Sequence, residues 1–271
     1  MSGVLRKLSL SKSGYYAYLV REVSARKKRK IEIQKEIARI HNESYQIYGA
    51  PNITMMLRQL GHRIAEKTVG IYMKELKLQA IYVKPYTKTT LNSDFSTSLK
   101  NILDKEFVVN EPNAVWCINL TYIYTVMEGF VYLTSIMDLY SRKTISWTLS
   151  RSMKVEEVLK CLKEAKKRRK REKPLIIQSN RGSHFVSYEY RELTEEMKRS
   201  YSGKGAPWDN AYIEVFHLLI KREWLNRRRI VDYEDAYHLV FEYIEAFYNT
   251  VRIHSHNDYE SPNEKERRSN N

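Results

Sequence analysis

Between Val115 and Leu149 the hydrophobic period of the chain changes, and that change limits the folds open to it. From Val115 to Tyr124 the residues Trp116, Ile118, Leu120, Tyr122 and Tyr124 fall on one face at period two, with Asn119 on the other. Met127-Glu128-Gly129 marks a hairpin turn into Phe130–Asp138, and Ser141-Arg142 turns into Thr144–Leu149. Three antiparallel strands are expected. Before and after this block the period is helical. Ile33, Ile37 and Ile40 share a face. Ile53, Met56, Leu57 and Leu60 repeat at i, i+3, i+4, i+7, with Pro51 near the start and Gly61 as the stop; Val69, Tyr72, Met73 and Leu76 repeat the spacing. The short turn Gly61–Ala65 makes the last two a helix-turn-helix candidate, with Lys67, Lys74 and Lys77 facing a DNA groove.

Downstream, Val155, Val158, Leu159 and Leu162 line a helix that ends in the basic run Lys166–Arg171, either a solvated end or a phosphate contact. A strand over Leu175–Ile177, a helix over about 187–199, a helix over about 208–224 and a long helix from near Asp232 follow. Strands and helices in the order β-β-β-α-β-α predict an α/β fold, a mixed sheet covered by helices, preceded by a small all-α domain. The expected organisation is a basic arm (1–30), a helix-turn-helix domain (31–84), a linker (85–112), a core (113–265) and a polar tail (266–271).

Lys and Arg outnumber Asp and Glu by 47 to 32, a formal +15 over 271 residues. Such a charge favours a polyanionic partner, because each phosphate contact releases condensed counterions. No apolar run approaches the ~20 residues that span a bilayer, and Met1–Lys7 lacks the apolar core of a secretion signal. Cys117 and Cys161 suggest a reducing cytoplasm without a disulfide framework. The run Arg26–Lys30 reads as an arm, solvated or tracking a DNA backbone.

Asn180 follows a short apolar strand and opens the polar turn Asn180-Arg181-Gly182-Ser183-His184, a common place for a catalytic carboxylate; the position carries an amide. Asn119, inside Trp116-Cys117-Ile118-Asn119-Leu120-Thr121, is a second such case, whereas Glu214 in Trp208-Asp209-Asn210-Ala211-Tyr212-Ile213-Glu214 keeps its acid.

These segments, in this order, resemble the catalytic core of bacterial insertion-sequence transposases of the orfB type, relatives of retroviral integrases. The Tyr48-Gly49 block within Ser44–Ile53 resembles the opening of that family's helix-turn-helix, and Met137–Lys143 with Trp147, Ser202-Gly203-Lys204-Gly205, and Arg252-Ile253-His254-Ser255 with Ser261-Pro262 resemble its later segments. The resemblance implies a ribonuclease-H-like core. It carries the family's two Asp and one Glu onto Asn119, Asn180 and Glu214. It further implies Mg²⁺-dependent DNA cleavage and strand transfer, double-stranded DNA (element ends and target) as partner, a homo-oligomer on DNA, an orfA product of an upstream frame, and a bacterial cytoplasm, nucleoid-associated. Lys204, near the site, and Arg227, Arg228 and Arg229, after the Glu214 helix, are the further phosphate contacts expected.

Asn matches Asp in shape but offers one neutral carbonyl oxygen, and its NH₂ cannot bind metal. Mg²⁺ demands hard anionic oxygens, so Glu214 alone remains as a metal ligand and a catalytically inactive copy is expected. The alternative is a non-catalytic DNA-binding remnant or regulator. The Asn180–Glu214 interval is two residues shorter than the family's usual one, and His254–Tyr259 departs from its usual ending. A rebuilt site using Asp138 or Asp209, and a zinc site at His254 and His256, are the weaker readings.

Overall fold

The computed structural model describes residues 11–20, 22–81, 101–102, 109–169, 176–203 and 210–269. The chain divides into two compact units, Met1–Ala80 and Ile81–Asn271.

The first unit is helical. α1 (Lys12–Leu19) is capped by Ser11, whose hydroxyl accepts from the Gly14 N–H. α2 (Ala25–Glu43) is capped the same way by Ser24 on Lys27. α3 (Ala50–Gln59) has Pro51 in its first turn, where the missing N–H costs nothing, and α4 (Glu66–Glu75) carries Glu66 there. Ile33, Ile37, Ile40, Ile53, Leu57, Val69 and Met73 are all buried where these three helices pack. Between α3 and α4, Gly61 adopts φ +87°, a left-handed stop that L side chains resist. The Arg58 guanidinium pins the turn by donating to the Ile64 carbonyl at 3.1 and 3.2 Å.

The run Arg26–Lys30 is not an arm: it forms the opening turns of α2, so the boundary expected at 30/31 falls inside a helix. Lys and Arg are good helix formers once a cap is present. Lys30 is also engaged, its ammonium 2.8 Å from Glu75 Oε1 and 5.2 Å from the Tyr72 ring.

In the second unit, β1 (Val115–Thr125), β2 (Gly129–Asp138) and β3 (Thr144–Ser150) form an antiparallel meander. Gly129, at φ +75°, supplies the positive φ of the first hairpin. α5 (Val155–Arg168) crosses to β4 (Ile176–Ser179), which runs parallel to β1 over Val115–Cys117. α6 (Ser183–Val186) and α7 (Tyr188–Leu193) precede β5 (Lys198–Tyr201), parallel to β4. The sheet order is β3-β2-β1-β4-β5. The helix expected over 187–199 therefore stops at Leu193. Lys198–Tyr201 pairs with β4 instead, which satisfies the backbone of a buried edge at Ser200 and Tyr201.

One face of the sheet carries Trp116, Ile118, Ile136 and Ile177 against Val158, Cys161, Leu162, Phe185 and Tyr190. The other receives α8 (Ala211–Glu223) and α9 (Tyr233–Phe241), which continues as a wider π-helical turn over Glu242–Tyr248 and brings Tyr243, Ile244, Phe247 and Tyr248 inward. α10 (Pro262–Ser269) closes the chain. Its Glu266 is buried and accepts from Ser141, Lys143 and Arg169, so the expected tail at 266–271 begins inside a docked helix. Of the basic run at the end of α5, Lys166 donates to the Leu193 carbonyl, Arg168 to that of Ile145, and Arg169 to Glu266, so each has a partner within the protein. Among the described residues, no helix is long and apolar enough to cross a membrane.

A buried ion pair ties α8 to the chain after α9. Arg252 donates to both Glu223 oxygens, at 2.9 and 2.7 Å, and Tyr243 Oη donates to Oε2 at 2.7 Å. Burial alone would depress the Arg252 pKa, but Glu223 beside it raises it. Glu223→Gln leaves a buried cation without its counter-charge and is expected to cost ~3–5 kcal/mol in urea unfolding. Replacing both partners by Leu and Met should recover most of that loss; an unrecovered double variant would show that the pair itself, not the orphaned charge, carries the stability.

Candidate functional site

The parallel pairing of β1 with β4 sets the site. Asn119 lies two residues beyond the paired stretch of β1, and Asn180 is the first residue after β4. The two side chains meet: Asn180 Nδ2 donates to Asn119 Oδ1 at 3.0 Å. The orientation of each amide is set by its surroundings. The Gly182 N–H donates to Asn180 Oδ1 at 2.9 Å, which turns Nδ2 toward Asn119, and the Leu120 N–H donates to Asn119 Oδ1 at 2.9 Å. A Cβ on Gly182 would stand 3.0 Å from Asn180 Oδ1, so glycine allows this close approach.

α8 lies along the same face. Asn210, at its start, reaches the Ile118 carbonyl. His217 Nε2 lies 3.2 Å from Ser135 Oγ, and Ser135 is the cross-strand partner of Asn119. Lys221 donates to Thr121 Oγ1 at 2.8 Å. Glu214 sits one turn before His217 and two turns before Lys221, on the same helical face, and is exposed. The start of α8 is held by the buried Arg142, whose guanidinium stacks 3.6 Å from the Tyr212 ring centroid. Loss of hydration raises the Glu214 pKa, lowers that of His217 to about 3, leaving it neutral, and lowers that of Lys221 to about 8.

These residues do not fit a divalent cation. Asn119 Oδ1 already accepts two N–H groups, Asn180 turns an NH₂ toward it, and only Glu214 is anionic. Among the described residues no cluster of three or more His, Cys, Asp or Glu could hold a metal. Asp138 cannot rebuild the site. It is fully buried, which lifts its pKa to about 6, and its two oxygens accept from the Asn113 and Tyr140 N–H groups at 2.8 and 2.9 Å. Nor do His254 and His256 find the further ligands that zinc needs.

Lys67, Lys74 and Lys77 are all exposed; the first two lie two turns apart on α4. Arg227 donates to the Glu223 carbonyl, Arg228 pairs with Glu242 and lies 5.0 Å from the Trp224 ring, and Arg229 is exposed. Lys204 and Asp209 lie outside the described residues. Sequence reasoning missed Lys221 and Thr121. The seven-residue step from Glu214 to Lys221 was the available signal, since it puts both on one helical face.

A β3-β2-β1-β4-β5 sheet with helices on both faces, its site residues at the ends of β4 and along β1 and α8, defines an integrase-type core. Family models agree: integrase core domains match residues 109–205 and 195–262, and an HTH-like domain matches 27–86. The transposase for insertion sequence element IS904 of Lactococcus lactis subsp. lactis (strain IL1403) is 33% identical over 237 residues, 87% of this chain and 93% of its own. Transposase InsF for insertion sequence IS3A of Escherichia coli (strain K12) is 30% identical over 259 residues, 94% of this chain and 90% of its own. Among solved structures, the HTLV-2 integrase catalytic core domain in complex with magnesium is 17% identical with a TM-score of 0.44, over 57% of this chain and 97% of that one. On the sequence matches, the chain belongs to the insertion-sequence transposases of the IS3 family, with a ribonuclease-H-like core and an N-terminal HTH-like domain.

Two measurements probe this geometry. In Asn119→Asp/Asn180→Asp, two carboxylates replace amides 3.0 Å apart; metal-free, the variant should lose ~1–2 kcal/mol through like-charge repulsion, and millimolar Mg²⁺ or Mn²⁺ should raise its Tm while leaving the native chain unmoved. An equal rise in the native chain would refute the amide argument. Lys221 is the second. Below its folded pKa of about 8 the amine is charged in both states, and its partial burial costs stability. As pH rises from about 8 toward the ordinary 10.5, the folded form alone sheds its proton and that cost disappears. Lys221→Met should therefore stabilise the protein by on the order of 1 kcal/mol at pH 7, after allowance for solvent screening, with the gain fading by pH 10. A stability gain independent of pH would point to packing instead.

Proposed function

We propose that this chain is a catalytically silent member of its family that binds DNA without a metal. The observation that carries the reading is the Asn180–Asn119 hydrogen bond, a neutral amide pair where metal-dependent strand transfer needs anionic oxygens. A formal charge of +15 supports double-stranded DNA as the partner. The α3–α4 pair would engage element ends through Lys67, Lys74 and Lys77, with Lys204, Lys221 and Arg229 meeting phosphates at the core and Arg227 and Arg228 in a supporting place. Assembly on DNA as a homo-oligomer, with element ends and target, and with an orfA product where one is made, belongs to the same reading, as does residence at the nucleoid.

The test compares strand transfer and duplex binding in the native chain and in Asn119→Asp/Asn180→Asp. The native chain should bind duplex without Mg²⁺ and give no transfer product; the double variant should give product with Mg²⁺ or Mn²⁺. Lys67→Ala/Lys74→Ala/Lys77→Ala should flatten the log–log salt dependence of binding by ~2–3. Product from the native chain would overturn the silent-site reading, and an unchanged salt slope would remove the α4 lysines from the DNA contact.

A further inference from the structure

The β1–β2 hairpin carries a row of rings that the site chemistry does not use. Its register pairs Tyr122 with Tyr132 and Tyr124 with Phe130, which places the four rings on one face of the ribbon. Tyr124 is 60% exposed and Phe130 51%, although rings of this size ordinarily gain by burial. Phe130 holds the row together edge-on, its centroid 5.2 Å from Tyr122 and 5.5 Å from Tyr124.

The row lies on the sheet face opposite Asn119, and Lys221 links it to the site around the strand edge. Lys221 donates to Thr121, two residues along β1 from Asn119, and its ammonium also lies 4.4 Å from the Tyr122 ring centroid. It can reach both because β4 leaves β1 at Cys117, so beyond that point no strand among the described residues covers this edge. An ammonium over Tyr122, next to the exposed rings of Phe130 and Tyr124, suits a strand that brings a phosphate and a base together. It does not suit the core of a protein interface, where Lys is depleted.

We propose that Tyr122, Tyr124 and Phe130, with Lys221, form a stacking platform for unpaired nucleobases at a DNA duplex end. The proposal rests on the DNA-binding reading above. The platform takes bases regardless of sequence, since every base has a π face, and Lys221 holds the adjoining phosphate.

Fluorescence anisotropy with two DNAs tests it: a blunt duplex, and the same duplex with a short unpaired tail bearing 2-aminopurine. The native chain should bind the tailed DNA about ten-fold more tightly and quench the 2-aminopurine. Tyr124→Ala/Phe130→Ala should abolish both effects while keeping the blunt-duplex affinity, and Tyr124→Phe/Phe130→Tyr should retain them. Both side chains stand in solvent, so the alanine variant should melt with the native chain; were it to unfold, the tail preference and quenching of the native chain decide alone. Equal native affinity for the two DNAs would overturn the platform and leave duplex binding standing. Binding to neither would overturn both readings. A concentration-dependent dimer lost in the alanine variant, with tail preference unchanged, would assign the rings to a second copy and overturn the proposal.

Discussion

Everything at this site depends on a short stretch of parallel pairing, Val115–Cys117 of β1 against Ile176–Gln178 of β4. Parallel strands cannot be joined by a tight turn, so the chain must make a crossover, here α5, before β4 can settle. That crossover buries Val158, Cys161 and Leu162 on one face of the sheet. Once the register is set, Asn119 and Asn180 have little choice of neighbour. A slip of one residue would turn Asn119 into the apolar core beside Ile118 and bring Ile118 to the site.

The same geometry explains why amides can occupy carboxylate positions without loss of fold. Asp and Asn fill nearly the same volume, and the Leu120 and Gly182 N–H groups bond an amide oxygen as they would a carboxylate oxygen. What changes is the space between the side chains. Two carboxylates there need a cation or a proton between them, whereas one amide donates to the other. The pair is satisfied without help, and it offers a cation no anionic oxygen.

The strands of the meander and the three packed helices of the first unit were legible in the sequence, because each rests on a local period; Asn119, Asn180 and Glu214 were grouped by family resemblance, and the structure joins the first two. Other features were not, and they share a cause. Lys198–Tyr201 is a strand only because β4 offers a partner, and four residues carry too little pattern to announce it. Arg26–Lys30 looks like an arm until Ser24 caps it and Lys30 finds Glu75 in α4. Asp138, Glu223 and Glu266 would be surface acids by residue type, yet each is buried with donors from remote or turn segments, a pairing that no local window contains. Lys221 belongs to both groups: its spacing from Glu214 is local, but its descent onto Thr121 and Tyr122 is tertiary.

On the proposed reading, two amides in place of two carboxylates also alter how the site meets DNA. A carboxylate site presents like charge to an approaching phosphate, and at a separation of about 4 Å an unscreened pair near a protein surface costs on the order of several kcal/mol. A metal-dependent site escapes that cost only when its cations are loaded. In this chain the approaching phosphate faces a neutral amide pair, one exposed Glu whose pKa is raised, and Lys221 nearby. On that reading, the amides that leave no anionic metal site also remove the main repulsion to a DNA backbone. On the proposed reading, catalysis and binding respond in opposite directions to the two amides, and DNA binding that needs only cations and shape persists without metal.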